Sequence, residues 1–437
     1  MTPAPEARRW AILGGGVCGM TLALRLAQGG QQVSLFEAND RLGGLADSWH
    51  VDGLRWDRHY HVTLGSDRFT RGLLAAVGLE QELQWRKTRT GYFNGTKLVS
   101  MSNSWEYLRL PGLNLWDKWR LARTILSASR RKDWQVLEQQ TVEEWLVQTS
   151  GRRVFDRLWR PLLRAKLGDR YKECSAAFLW ATIRRLYAAR DSGMKTETFG
   201  YLPGGYGRLA DSMRARLEGL GVDVRLQTAV QEVRSEAAGP VVHSAGGEEP
   251  FDQVVSTLTP RRTASLMPGL APEEKERLQG IAYQGLLCAS MVLAKPLADY
   301  YLTYLLDESL PFTAVVEMSS FVDQSELRRK HLVYLPLYLA ADDPRFRHSE
   351  EQVRADFLAG VQRIYPHFDP DDVLGFRLSR VPEVFPLPTL HYSTKVPPRD
   401  LSLAGVHMVG SSQIVNGTLN VNESVALAEE AAEAFLR

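Results

Sequence analysis

The chain has 437 residues, more than one ordinary core accommodates, so two closely associated domains are expected. Hydrophobic residues make up 44% and charged residues 24%, which excludes a disordered chain, and a net charge of +2 argues against a nucleic-acid binder. Cys18, Cys174 and Cys288 are widely spaced with no C-x-x-C pair, which supports neither a disulfide framework nor a zinc site and fits a reducing cytoplasm.

The opening reads strand, turn, helix, strand. Trp10-Ala11-Ile12-Leu13 is a short apolar strand running into Gly14-Gly15-Gly16-Val17-Cys18-Gly19. Val17, Met20, Leu24 and Ala27 then recur on one helical face, Gly29-Gly30 ends the helix, and Gln32 to Glu37 is the second strand. In Gly14-x-Gly16-x-x-Gly19 the first glycine permits a tight turn and the second lets backbone approach a pyrophosphate. The third lets helix and strand pack closely. Glu37, 21 residues beyond Gly16, is placed to accept hydrogen bonds from a ribose diol. This motif alone leaves NAD and FAD open.

From Arg68 to Arg190 the pattern is mostly helical, broken by a hairpin expected at Phe93-Asn94-Gly95-Thr96 with a type I′ turn. Strands return at Val222–Leu226, Ala229–Val233 and Phe251–Thr257, and a strand-rich stretch runs from Gly285 to Tyr338. A helix fits Glu350–Ile364, and the chain closes with a strand at Val406–Val409 and a helix over Asn422–Phe435. The longest apolar runs, Leu286–Ala294 and Leu332–Ala341, are half the ~20 residues of a membrane span, and no apolar leader precedes the first strand. Any membrane contact is therefore expected to be peripheral.

Asp40-Arg41-Leu42-Gly43-Gly44-Leu45-Ala46 resembles the R-x-G-G element of the flavin amine oxidase superfamily, which includes protoporphyrinogen oxidase and phytoene desaturase. Gly53 to Asp57, Tyr201 to Tyr206, Thr228 to Val230, Asp252 to Thr257 and Val409 to Gln413 resemble further segments of that family. The resemblance implies an α/β fold: a Rossmann-like FAD-binding domain of GR2 type with an interleaved α+β substrate domain. The first is expected over 1–67, 200–280 and 396–437, and the second over 68–199 and 281–395. It implies FAD contacts at Gly14, Gly16, Val17, Cys18, Gly19, Glu37, Ala38, Arg41, Gly43, Gly44, Leu45, Val230 and Thr257. Further contacts are implied at Gly410, Ser411, Asn420, Val421 and Asn422. Ser411 departs from the family, which usually has an acid there to bind the ribityl hydroxyls. Asn420 to Glu423 resembles a capping box whose helix would point its positive end at the flavin. Some relatives attach FAD through a cysteine in the last quarter; none lies beyond Cys288, so FAD is expected to be non-covalent.

Arg58-His59-Tyr60-His61 follows Asp57, and His59 or His61 can move a proton beside the flavin or simply fix loop backbone. Lys295 sits where monoamine oxidases carry a lysine near the flavin, although a lysine beside Pro296 is more often a solvated turn residue. Between Leu108 and Arg190 there are 18 Lys/Arg against 8 Asp/Glu, with Trp116, Trp119, Trp134, Trp145, Trp159 and Trp180 among them. Leu115, Trp119, Ala122 and Leu126 share one helical face, a pattern suited to peripheral contact with an anionic membrane at its cytoplasmic side. Core tryptophans beside a solvated basic face, or an anionic-substrate funnel, fit the same pattern. No nucleic-acid reading motif accompanies these charges.

The expected function is an FAD-dependent oxidoreductase that takes hydride from a mostly apolar small molecule, isoprenoid- or porphyrin-like by analogy with relatives. Alternatives are a non-redox flavoenzyme on a nucleotide-linked sugar, similar to UDP-galactopyranose mutase, and an amine oxidase. A further alternative is a binding protein similar to the GDP-dissociation inhibitors.

Overall fold

The structure, a computed structural model, describes residues 7–102, 106, 112–190, 198–415 and 419–437. Leu108 to Pro111, at the start of the basic segment, lie outside the described residues. Eight strands position the site: β1 (Arg9–Leu13), β2 (Gln32–Phe36), β3 (Asp223–Arg225), β4 (Gln253–Ser256), β5 (Tyr283–Leu293), β6 (His331–Ala340), β7 (Val373–Pro386) and β8 (Val406–Met408). Seven helices accompany them: α1 (Val17–Gln28), α2 (Arg68–Ala76), α3 (Leu115–Arg130), α4 (Val142–Ser150), α5 (Arg160–Leu167), α6 (Ala176–Arg190) and α7 (Val421–Phe435).

One sheet is parallel throughout, in the order β3-β2-β1-β4-β8, so it draws on the beginning, middle and end of the chain. Both its faces are covered, which is why β1 reads as an unbroken apolar run. Trp10 and Ile12 enter a core with Met20, Leu24, Val425 and Ala428. Ala11 and Leu13 enter the opposite core with Val233, Val242 and Leu266. The sequence predicts one buried face for α1. In the structure α7 and the helix Gly207–Gly219 pack on it from other sides, so Thr21, Leu22 and Ala23 are buried as well. The Leu73, Leu74, Leu79 and Leu83 side chains join this same core, so 68–83 packs with the parallel sheet.

The second sheet has seven strands, ordered β7, β5, β6, Ala314–Glu317, Leu302–Leu305, Thr90–Phe93 and Leu98–Ser100. Every residue of β5 is buried, again because both faces are covered. Leu287, Ala289, Met291 and Leu293 pack toward the helix Glu350–Ile364, whose Phe357 and Val361 share their core. Leu286, Cys288 and Val292 face Val51, Leu54 and Trp56, so an early hairpin of the chain is clasped onto this sheet. A separate helical core gathers Leu137, Leu146, Phe155, Trp159 and Trp180.

The hairpin at Asn94-Gly95 forms, but its turn is longer than expected. Phe93 pairs with Leu98, leaving four residues between the strands, and Gly95 alone there has positive φ (97°). Asn94 Oδ1 accepts from the Thr96 and Lys97 N–H groups, so its side chain does the bridging that a type I′ backbone would do.

At Gly19 a Cβ would stand 1.9 Å from the Gly14 carbonyl oxygen, so α1 lies against the end of β1 with no room for a side chain. Gly19→Ala is expected to lower stability by about 3 kcal/mol, measured by urea unfolding. An unchanged midpoint would show that this contact is not tight.

Candidate functional site

The parallel strands deliver their carboxyl ends to one edge, the edge at which open α/β sheets bind ligands. Gly14 leaves β1 with φ 107° and its N–H donates to the Phe36 carbonyl (2.8 Å). Gly16, in extended backbone, precedes α1, whose first turn carries no acidic residue to neutralise its exposed N–H groups. A Cβ on Gly16 would meet nothing within 4 Å, in contrast to Gly14, Gly15 and Gly19, whose Cβ positions are filled by protein. The opening beside Gly16 is the cradle of the site.

The second glycine pair folds back against the first. The Gly43 N–H donates to the Gly15 carbonyl (2.9 Å), Gly16 and Gly43 form a parallel bridge, and a Cβ on Gly44 would lie 3.1 Å from Gly16 Cα. Gly43 and Gly44 hold φ of 123° and 58°, in a turn that glycine adopts without strain. Leu45 follows them and offers its carbonyl to His59.

Glu37 ends β2, buried. Its Oε2 accepts from the Gly15 N–H (2.8 Å), and its Oε1 from the Asn39 backbone (2.8 Å) and side-chain (2.7 Å) amides. A carboxylate has about four acceptor positions, so one is left for a ligand hydroxyl. Ala38 beside it is exposed, and buried Val230 opens the strand that follows Thr228, whose N–H reaches the Glu37 carbonyl (2.8 Å). Thr257, past β4, donates Oγ1 to the Leu13 carbonyl (2.9 Å). Beneath the turn lie Val17 and Cys18; the Cys18 Sγ approaches the Val409 carbonyl (3.6 Å), and burial pushes the thiol up to about 12.

Gly410 and Ser411 follow β8, and Ser411 Oγ lies 3.3 Å from the Tyr283 hydroxyl at the start of β5. Here the two sheets meet. Arg41 is held between Asp47 and Asp211 (3.2 Å each), which also pair with Arg58 and Arg55, so three guanidiniums share two carboxylates and the cluster stays positive. Asn420 caps α7, its Oδ1 accepting from the Glu423 N–H (3.0 Å), and Val421 is the first helical residue. Asn422 takes a different part from the expected one. Its Oδ1 accepts from the Phe69 (3.0 Å) and Thr70 (3.3 Å) N–H groups, which closes the first turn of α2.

The three expected catalytic residues separate. His59 is buried with Nδ1 against the Leu45 carbonyl (3.1 Å) and Nε2 against Ser379 Oγ (3.0 Å), so both ring nitrogens are spent on fixing the loop. Burial, opposed by the Leu45 hydrogen bond, lowers its pKa to about 4, which keeps the ring neutral. His61 stays open. Its Nδ1 has no hydrogen-bond partner and lies 3.5 Å from Asp57 Oδ2, while the ring rests on Tyr206 at 5.2 Å.

Lys295 is corrected outright. Its side chain is 72% exposed and paired with Asp372 (3.1 Å). It lies two residues beyond the end of β5 opposite to Tyr283 and Ser411.

Sequence reasoning missed the residues that the second sheet and α5 bring in. The Tyr60 and Tyr338 hydroxyls are 3.1 Å apart, and Tyr334 donates its hydroxyl to the Asp57 carbonyl (2.5 Å). Burial pushes the Tyr338 phenol up to about 12 and that of Tyr60 well above the usual value, so both stay protonated. Lys166 stands beside Tyr338. No local motif marks these positions, because they converge from elements distant in sequence.

The family model described as flavin containing amine oxidoreductase matches residues 17–436. Protoporphyrinogen oxidase from Nicotiana tabacum is 26% identical over 167 residues, covering 37% of this chain and 33% of that protein. Hydroxysqualene dehydroxylase from Sinorhizobium fredii is 25% identical over 277 residues, covering 59% and 63%. The matches thus span a third and somewhat under two thirds of those relatives. A crystal structure of reduced UDP-galactopyranose mutase superposes with a TM-score of 0.75 at 16% identity, covering 99% of this chain and 94% of that one.

His59, neutral in the fold down to about pH 4, gives a pH prediction. As pH falls below 6.5 the unfolded chain takes up a proton that the folded ring refuses. The folded state is therefore expected to lose about 3 kcal/mol between pH 6.5 and 4 relative to a His59→Gln variant. Parallel urea-unfolding curves for the two proteins at both pH values would contradict it.

Proposed function

The chain belongs to the flavin-containing amine oxidoreductases, and from that premise we propose that it binds FAD non-covalently and removes hydride from a C–H bond of a mostly apolar substrate. The observation that carries this reading is the gap at Gly16, framed by Glu37, the Gly43-Gly44 turn and the start of α1. Backbone N–H groups there and at α1 suit a pyrophosphate, and the free acceptor of Glu37 suits a ribose hydroxyl. When bound, FAD supplies the hydride acceptor.

The chain's own residues orient the substrate and handle the proton. Tyr60, Tyr338 and Phe385 present aromatic surface beside the site and keep it dry. His61, whose buried Nδ1 faces Asp57, is the histidine left to hold a proton, while His59 anchors the loop that carries it. Support for non-covalent binding comes from the thiols. Cys174 and Cys288 are fully buried, and burial pushes all three thiols well up. Support for an apolar substrate comes from this aromatic lining and from the hydroxysqualene dehydroxylase relative.

The purified protein is expected to be yellow, to bleach anaerobically with substrate and to release intact FAD on acid precipitation. Gly16→Ala should keep wild-type stability but lose at least ten-fold in bound flavin, because its Cβ enters the cradle. A colourless wild type that takes up no FAD would overturn the reading, and flavin left in the precipitate would overturn the non-covalent part.

We also propose that α3 rests on an anionic membrane surface. Among the described residues no helix is long and apolar enough to cross a membrane. The face of α3 that packs inward, against α4 and α6, is Asp117, Leu121, Thr124 and Ala128. The apolar stripe points out: Leu115 is 85%, Trp116 61% and Trp119 50% exposed, with Leu126 following. Trp116 and Trp119 stack at 4.6 Å, and exposed Arg123 and Arg130 are placed to meet lipid phosphates. Trp145, Trp159 and Trp180 are core residues, so the tryptophans divide between two roles.

Flotation with phosphatidylglycerol vesicles is expected to carry the wild type upward. Trp116→Ser with Trp119→Ser should cut the bound fraction at least ten-fold without changing flavin content. Wild type that stays at the bottom of the gradient would retire this proposal.

A further inference from the structure

Lys166, near the end of α5, has an unusual position for a lysine. Like Tyr60, it is half-buried. Its Nζ lies 6.0 Å from the Tyr338 ring and 5.7 Å from the Phe385 ring. Tyr338 links this place to the site already described, because its hydroxyl meets Tyr60, one residue from both His59 and His61.

No carboxylate answers the charge. Among the described residues Lys166 makes neither an ion pair nor a hydrogen bond. Asp169, the acid nearest to it in sequence, is taken by Arg164 (2.8 Å). The other nearby cation, Arg185, is neutralised by Asp67 (2.7 Å). An enclosed ammonium without a counter-ion is costly, and aromatic faces offset only part of that cost. Burial, aided by Arg185, accordingly lowers the Lys166 pKa to about 8, which still leaves the group mostly charged at neutral pH.

A second unanswered polar group lies alongside. Gln284, on β5 and fully buried, has neither its Oε1 nor its Nε2 hydrogen-bonded. The Nε2 is 3.4 Å from where a Cβ on Gly168 would stand, two residues along the chain from Lys166. Gln284 pairs across the strands with Phe385, one of the two rings facing the ammonium. An unpaired cation and an unpaired amide thus both neighbour Phe385, and the half-buried ammonium lacks a counter-ion that a ligand can bring.

We infer that Lys166 anchors an acid group of the substrate, so that the molecule oxidised is an apolar compound bearing a carboxylate. The carboxylate takes the ammonium as its counter-ion between Tyr338 and Phe385, and the apolar remainder lies along the tyrosines toward His61. This rests on the flavin reading above for what happens to the substrate, although the anchoring itself is a binding property. Lys166 is a specificity-determining residue under this inference, with no part in the hydride step.

The test compares two probes of equal length, octanoate and 1-octanol, by isothermal titration calorimetry with the purified protein as isolated. Wild type is expected to bind octanoate at least ten-fold more tightly than 1-octanol at pH 7. Lys166→Gln should bind the two alike, with its affinity for 1-octanol unchanged, and Lys166→Arg should keep the preference. Equal affinities in wild type, or a preference that survives in Lys166→Gln, would overturn the inference. The visible spectrum of each sample is read separately. A colourless protein that still prefers octanoate sinks the flavin reading alone, and a yellow protein without the preference sinks this inference alone.

Discussion

The contact between Gly19 and the Gly14 carbonyl sets the position of everything that follows. With no side chain between them, α1 rises directly from the end of β1 and turns its unpaired N–H groups toward the strand ends. The same closeness leaves the Gly16 gap and draws the Gly43-Gly44 turn across it, joined by a backbone hydrogen bond to Gly15. Glu37 then completes the frame by holding the Gly15 N–H from β2. Three separate stretches of chain therefore depend on one missing methyl group.

The second sheet adds the chemistry that the strand ends lack. It touches the segment after β8 where Tyr283 meets Ser411, and the early hairpin and its loop where Tyr334 holds the Asp57 carbonyl and Ser379 holds His59. Each junction is a hydrogen bond to a buried tyrosine or histidine kept neutral by its surroundings. Arg41 is paired with Asp47 and Asp211, whereas Lys166 has no carboxylate partner among the described residues.

The parts of this arrangement that were legible in the sequence are those decided within about forty residues. Gly14, Gly16, Gly19 and Glu37 follow from turn geometry and strand length, Gly43 and Gly44 from the family resemblance, and in the structure they stand together. Where the deciding partner is remote, local pattern fails. Asn422 reads as part of its own helix start, yet its carbonyl closes α2, 353 residues earlier in the chain. His59 and His61 look interchangeable until Ser379, 320 residues away, takes the free nitrogen of one. Periodicity placed Leu115, Trp119 and Leu126 on one face of α3 but carries no sign for inward or outward, and here the apolar side is the exposed one. Lys295 rests on analogy alone, and its exposed side chain is paired with Asp372.

The central claim is that the strand ends hold a dinucleotide at both of its halves, the adenosine at Glu37 and the flavin toward Tyr60. Titrating flavin-stripped protein with FAD and with FMN, followed by quenching of flavin fluorescence, tests it directly. FMN lacks the adenosine half and with it the Glu37 contact. FMN is expected to bind at least a hundred-fold more weakly than FAD, and equal affinities for the two would rule out a contact at the adenosine half.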